Sequence, residues 1–451
     1  MLAAAVDGFF ILQTTAFSQP QTGKCGDGIC GPVEREKGVC PQDCSQNEVL
    51  ASVPIPASAT AGFLMGFMLV DLNEINYAVD LGAKGARHGF WFMNNKFNEM
   101  EGAHAIQSLI NKDFELIAQV VPMPPFVILT DYTDFKDKLR ELVRKKKEIF
   151  KYWQIGNEPD LIHQNINPSY SAWNYTELFL AASEAIREEC PSCKVILAGI
   201  SNQYDSSRSN YQFYKDILTA IKEKSKFQKP FDVFDVHLYT TDNSRKNYAK
   251  AEQAVSDYKK LLKETGYDYE IEFISTEFGT YSARPGLLKP IPLPFQSESF
   301  QAETLIKMYT AFFNAGATKV FWADIINNYK FGFHGEADGL FDLTGLVYNG
   351  KGSYDAANGI KEGTRKESYY AYKIFASKIQ GKNIVEKTGD NIYKFTGENG
   401  IVYIAWSDDA KISLPSFIKG AIRVTDYLGN ESVEDASEVV VDKDPVFIEM
   451  Q

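Results

Sequence analysis

Residues 152–160 read YWQIGNEPD, an apolar run that breaks on Asn157, Glu158 and Pro159. A carboxyl group at the mouth of a buried strand loses hydration, and it needs a partner or a chemical task to offset that loss. A second run, YEIEFISTEF (269–278), ends in the same way on Glu277. Taken singly, either glutamate has an ordinary explanation, such as capping a helix or pairing with a lysine. Taken together they form a candidate catalytic pair, in which one carboxyl keeps its proton and donates it while the other is ionised.

Such a pair needs a scaffold that brings distant positions together. From residue 61 a short apolar run is followed by a longer amphipathic one, and this unit recurs eight times. GFLMGFMLV (62–70), AKGARHGF (83–90), ELIAQVVP (115–122), YWQIGN (152–157), KVILAGIS (194–201), FDVFDVHLY (231–239), YEIEFISTEF and KVFWADI (319–325) predict strands. Between them lie helical patterns. In YAKAEQAVSDYKKLLKETG (248–266), Ala251, Ala254, Val255, Tyr258, Leu261 and Leu262 share one face and Gly266 supplies the stop. Strand followed by helix eight times over predicts an α/β fold, a (β/α)8 TIM barrel at 61–381. After the helical pattern KESYYAYKIFASKIQG (366–381), short alternating segments split by Gly, Asn, Asp and Pro predict a C-terminal antiparallel β-sandwich at 382–451. In such a barrel, function sits at the carboxyl ends of the strands, so Glu158 after strand four and Glu277 after strand seven stand on one face.

On these residues the sequence resembles the retaining glycoside hydrolases of clan A, a TIM-barrel superfamily, with a layout similar to its xylosidase/iduronidase-type and endoglucanase-type families. Asn157-Glu158-Pro159 matches the acid/base motif of that clan. The resemblance covers the barrel, and a trailing β-domain is frequent in the clan. It implies hydrolysis of β-glycosidic bonds in oligo- or polysaccharides by double displacement, with Glu158 as general acid/base, Glu277 as nucleophile and no cofactor required. Acetal cleavage passes through an oxocarbenium-like state that needs a proton for the leaving oxygen and an anion on the opposite side of the anomeric carbon. Carboxyls about 5–5.5 Å apart give retention, and gaps above roughly 6.5 Å give inversion. The shorter gap is the expectation.

Other strand ends supply supporting groups. Arg87, ending strand two, is placed to donate to Glu277. By the resemblance, Asn157 reaches the sugar hydroxyl beside the anomeric carbon and Tyr239 donates to the nucleophile. His237 and Tyr239 alternate in DVHLY and so both point to the barrel mouth; His237 is a candidate substrate contact, with a buried histidine satisfied by neighbours as the alternative. Trp322 in VFWAD resembles the tryptophan that floors the sugar site, with core filler as the alternative. His88 and Trp91, just past Arg87, are further candidates to line the cleft.

The chain has 451 residues, 44% hydrophobic and 13% aromatic, enough for a large core. Its formal charge of −12 offers no basic face for nucleic acid, and no run is long and apolar enough for a transmembrane span in the main body. The apolar stretch 1–24 is a leader or an arm available for self-association with another copy. Segment 25–60 carries Cys25, Cys30, Cys40 and Cys44, which read as disulfides of an extracellular or cell-surface protein, with a zinc tetrad as the alternative. Asp27, Glu34 and Asp43 in this segment are a candidate oxygen set for structural calcium. Cys190 and Cys193, in CPSC, are spaced for a tight bridge. Two rival functions share the fold: a carbohydrate-binding barrel without catalysis, and an extracellular structural protein that builds filaments through its N-terminal arm.

Overall fold

Eight parallel strands close on themselves in the computed structural model: Leu64–Phe67, Gly85–Met93, Glu115–Pro122, Phe150–Ile155, Lys194–Ile200, Val233–Val236 continued by Leu238–Tyr239, Glu272–Gly279 and Ala317–Trp322. They are barrel strands one to eight below. The structure describes residues 62–100, 103–122, 128–129, 131–163, 167–201, 209–285, 293–327 and 341–451; the arm and the cysteine-rich segment, with Asp27, Glu34 and Asp43, lie outside the described residues.

Strand one pairs with strand eight (Leu64 opposite Lys319) and with strand two (Gly66 opposite Gly85), so the barrel has no free edge. A Cβ on Gly66 would come within 2.3 Å of the Gly85 carbonyl oxygen, and this seam therefore requires glycine. The apolar runs become strands because both of their faces are buried. Leu64, Ile117, Ile196, Val233, Ile274 and Phe321 fill the lumen. Alternate residues such as Phe67, Leu116, Trp153 and Phe234 pack outward into the main core beneath the helical ring. The helix predicted at 248–266 forms at Ala249–Glu264, with its six predicted apolar residues buried and Gly266 at φ +79° beyond its end.

Strand seven carries one extra residue against strand eight, since Val320 faces Ser275 but Trp322 faces Phe278. This bulge turns two consecutive side chains, Thr276 and Glu277, inward, where both meet Arg87. A feature absent from the sequence reading is a hairpin. Strand two turns at Asn94 and Asn95, both left-handed at φ +53° and +58°, into the antiparallel strand Lys96–Glu99.

The C-terminal part is a six-stranded antiparallel sheet in the order Lys382–Gly389, Ile392–Gly397, Gly400–Ala405, Val446–Met450, Ala421–Asp426, Glu431–Asp435. A two-stranded ribbon, Ile412–Ser413 with Val440–Val441, covers one face through Ile392, Tyr403, Ile422 and Ile448. The other face, with Tyr393, Phe395, Ile404 and Phe447, joins the barrel core. Trp406 is fully buried at that junction, stacked on Tyr393 at 5.2 Å and edge-on to Tyr248 of the barrel helix region at 5.1 Å. Trp406→Ala should destabilise the chain by about 3–5 kcal/mol. Urea unfolding followed by circular dichroism checks this, with one transition expected in the parent protein; separate transitions for sheet and barrel would show that they do not share a core.

Candidate active site

The turn after strand four is built from unusual backbone. Gly156 (φ +80°) and Glu158 (φ +39°) are both left-handed and flank Asn157. Pro159, whose fixed φ suits the first position of a helix, then opens the short turn Pro159–Leu161. A glutamate in this region is strained by about 1–3 kcal/mol, which the surroundings must offset. Anchoring is strong: the Gly156 amide donates to the Val120 carbonyl at 2.9 Å. The Tyr175 hydroxyl donates to the Ile155 carbonyl and accepts from the Ala198 amide, tying strand four to strand five.

This geometry brings together six of the residues expected from sequence. One carboxylate oxygen of Glu158, one of Glu277 and a ring nitrogen of His237 all lie within 4.8 Å of one another. Glu277 accepts from Arg87 Nη2 at 2.9 Å and from the Tyr239 hydroxyl at 2.9 Å. Arg87 Nη1 also reaches Asn157 Oδ1 at 3.3 Å and Thr276 Oγ1 at 3.2 Å. Asn157 Oδ1 accepts a further bond from Gln119 Nε2 at 2.9 Å, so its amide nitrogen faces away from Arg87 and Gln119. Burial and the Glu277 charge hold the Tyr239 hydroxyl well above its ordinary range, so it remains a donor.

His237 sits between the glutamates and a lower polar layer. Its Nδ1 is 2.9 Å from Glu158 Oε1 and 3.7 Å from Glu277 Oε2, and its Nε2 is 3.1 Å from Asp235 Oδ2. A Cβ on Gly199 would stand 2.0 Å from His237 Nε2, so glycine at that point of strand five makes room for the ring. Gln119, Gln154, Asp235 and Thr276 in this layer are absent from the sequence reading. Inward positions occupied by polar residues within apolar strands were the available signal, as in VFDVHLY and YWQIG.

Two expectations are corrected. Trp322 is fully buried, edge-on to Phe278 at 5.1 Å, with its indole N–H donating to the Thr344 carbonyl at 3.0 Å. Since Phe321 points into the lumen, alternation sends Trp322 out into the barrel–helix core, and it forms no sugar platform. His88, next to inward Arg87, likewise points outward and packs on Phe90 and Phe150. Trp91 differs: half-buried on the Arg87 side, it folds its indole back to within 3.4 Å of where a Gly89 Cβ would stand. Cys190 and Cys193 form the expected bridge, with Cα atoms 5.3 Å apart.

The two glutamates have unlike environments. Burial and then the charge of Glu277 push the Glu158 carboxyl up to about 7, with His237 partly offsetting this. Burial alone would lower the His237 imidazole, but the charges of Asp235 and Glu277 outweigh it and raise it to about 10. The trio is the one described cluster of carboxylate and imidazole groups close enough for a shared ion, yet its atoms are committed to one another and to Arg87, which a cation would have to displace. A carboxyl raised above its unfolded value favours the fold while protonated. That contribution is complete below about 4.5 and is lost as pH rises through about 7. Glu158→Gln should therefore leave stability nearly unchanged at pH 5 and raise it by up to about 3 kcal/mol at pH 8. Thermal unfolding of both proteins at the two pH values checks this, and an equal effect at both would contradict it.

No protein-family model matches the sequence, and no curated protein matches it. Solved structures do match. A family 39 glycoside hydrolase from Bacteroides cellulosilyticus WH2 is similar at TM-score 0.61 and 15% identity, over 88% of this chain and 83% of that one. A glucosidase from Croceicoccus marinus is similar at TM-score 0.60 and 11% identity, over 87% and 96%. A GH39 β-xylosidase from Caulobacter crescentus is similar at TM-score 0.55 and 14% identity, over 87% and 98%. At these identities the likeness is one of fold, and it extends over most of each chain.

Proposed function

We propose that this chain is a retaining β-glycoside hydrolase of the clan A type, acting on oligo- or polysaccharides with Glu158 as general acid/base and Glu277 as nucleophile. The observation that carries the reading is the pair itself: two buried glutamates at the carboxyl ends of strands four and seven, with oxygens within 4.8 Å and unlike surroundings. That separation belongs to the retaining class, because it leaves no room for a water between carboxylate and anomeric carbon. The similar structures, a family 39 glycoside hydrolase, a glucosidase and a β-xylosidase, favour the same substrate class.

In the first step Glu158, whose carboxyl is pushed up to about 7 and so keeps a large protonated fraction near neutral pH, gives its proton to the glycosidic oxygen while Glu277 attacks the anomeric carbon and forms a glycosyl ester. Arg87 and Tyr239 orient the attacking carboxylate by binding its two oxygens separately. Asn157, its carbonyl end held by Gln119 and Arg87, offers its amide N–H groups to the sugar hydroxyl beside the anomeric carbon. In the second step the Glu158 carboxylate takes a proton from water, and the hydroxide equivalent opens the ester. The disulfide at Cys190–Cys193 suits an oxidising compartment, and we place the protein outside the cell or at its surface.

The test is turnover of a panel of aryl β-glycosides, followed by trapping with a 2-deoxy-2-fluoro glycoside and peptide mass spectrometry. The label should sit on Glu277, and Glu277→Gln should lower kcat by roughly 1,000-fold or more. A label on another residue would reassign the nucleophile, and binding without turnover across the panel would favour a carbohydrate-binding barrel.

A further inference from the structure

Asp235 has no place in the two-carboxylate reaction, yet it is the most heavily bonded carboxylate in the barrel lumen. It is fully buried. Its Oδ1 accepts the Thr276 amide at 2.8 Å, and its Oδ2 accepts the Thr276 hydroxyl at 2.6 Å, the Gln154 amide at 2.5 Å and His237 Nε2 at 3.1 Å. Three donors of fixed sense, the Thr276 amide, the Thr276 hydroxyl and the Gln154 amide, converge on one carboxyl group and favour its acceptor-only anionic form, which in turn makes His237 Nε2 the donor of the fourth contact. The one partner able to answer its charge directly is His237.

This arrangement bears on where the Glu158 proton sits. His237 Nε2 donates to Asp235, so its Nδ1, 2.9 Å from Glu158 Oε1, is either a bare lone pair or a second N–H. With a lone pair there, the acidic proton of Glu158 would lie on Oε1 and point at the imidazole, away from any substrate. With an N–H there, Nδ1 donates to Oε1, and the proton of Glu158 must lie on Oε2. We infer that Asp235 is a positioning residue for the reaction proposed above: by pairing with His237 as an imidazolium, it directs the Glu158 proton onto Oε2, the oxygen that serves the leaving group.

The other groups facing the ring fit this state. Glu277 Oε2 at 3.7 Å from Nδ1 adds negative charge, and Arg87 is engaged by Glu277, Asn157 and Thr276. The Thr276 hydroxyl donates to Asp235 and lies 3.3 Å from Nε2. Asp160, a more distant acid near the ring, is tied to Ser201. With Glu158 protonated, two anions, Asp235 and Glu277, balance two cations, His237 and Arg87. During turnover the proton passes from Glu158 Oε2 to the glycosidic oxygen, the resulting carboxylate stays beside the imidazolium, and water later restores the proton. His237 itself transfers nothing.

The inference rests on the proposed function for its kinetic consequence but not for its spectroscopic one. In the intact protein labelled with 15N-histidine, both His237 ring nitrogens should show protonated shifts at pH 7, assigned by loss of the signal in His237→Asn. Asp235→Asn should convert Nδ1 to the unprotonated shift. On aryl β-glycosides, Asp235→Asn should lower kcat/KM roughly 100-fold or more for a poor leaving group such as methoxyphenol, which needs the acid. For dinitrophenol, which leaves unaided, the loss should be under about tenfold. An unprotonated Nδ1 in the parent protein overturns the inference whether or not any glycoside is hydrolysed. So does an equal loss on both substrates, which marks a structural role. Protonated shifts in a protein that hydrolyses no glycoside would uphold the imidazolium and refute only the enzymatic reading. If Asp235→Asn fails to fold, the parent shifts alone decide.

Discussion

Five ionisable side chains share the nearly dry mouth of the barrel, and the charge they can carry together constrains everything around them. Like charges about 5 Å apart repel by roughly 3 kcal/mol even at an effective dielectric of about 20. Glu277 already bonds to Arg87, and Asp235 to His237. Ionising Glu158 would put a charge into a buried site and add a third negative charge with no cation of its own; burial first, and then the Glu277 charge, are the physical source of its elevated proton affinity. A buried pair broken on one side leaves an uncompensated charge. Arg87, His237 and their carboxylates are therefore best understood as one unit, in which each member sets the protonation of the next.

Holding that unit requires backbone that regular strands do not provide. A strand alternates its side chains, so only one of Thr276 and Glu277 would ordinarily reach the lumen; the bulge in strand seven admits both. Strand four solves the same problem at its end, where left-handed Gly156 and Glu158 swing the chain so that Asn157 meets Arg87 while Glu158 meets His237. Strands five and six also slip by a residue between Leu197 and Ile200, and there Gly199 lies against the His237 ring. All three irregularities lie along the polar layer, and each exchanges regular pairing for a specific side-chain position.

The barrel was legible in the sequence because its strands are buried on both sides and its helices on one, and these conditions leave periods that composition cannot mask. Glu158, Glu277, Asn157, His237 and Tyr239 were legible because they stand at or beside strand ends; Arg87, expected to end strand two, is instead its third residue, since the strand runs on to Met93, and it reaches the site because it points into the lumen. Trp322 misled for a related reason: nearness to a strand end says nothing about which face a side chain takes, and alternation from Phe321 put it in the core. Asp235, Gln154 and Thr276 were missed because polar residues inside a strand look like interruptions of an apolar pattern. Only the bulge and the closed lumen give them partners. The hairpin at Asn94–Asn95 was a local signal overlooked in favour of the strand–helix rhythm.

The C-terminal sheet has a mechanical relation to this site that its distance along the chain conceals. Phe395 and Phe447 on its inner face reach Phe375 of the helix Glu367–Ile379 at 6.3 and 6.1 Å. Phe375 contacts Tyr309 of the helix Glu298–Asn314 at 5.5 Å, and Tyr309 meets Phe278 edge-on at 4.7 Å. Phe278 follows Glu277 directly, on the opposite face of strand seven. The aromatic layer behind the strand is thus continuous from the sheet to the residue that fixes which way Glu277 points. Close-packed interiors transmit displacement rather than absorb it, and a bulged strand lacks the regular pairing that would hold its register unaided. The sheet therefore packs behind strand seven through one continuous aromatic layer, on the face opposite Glu277.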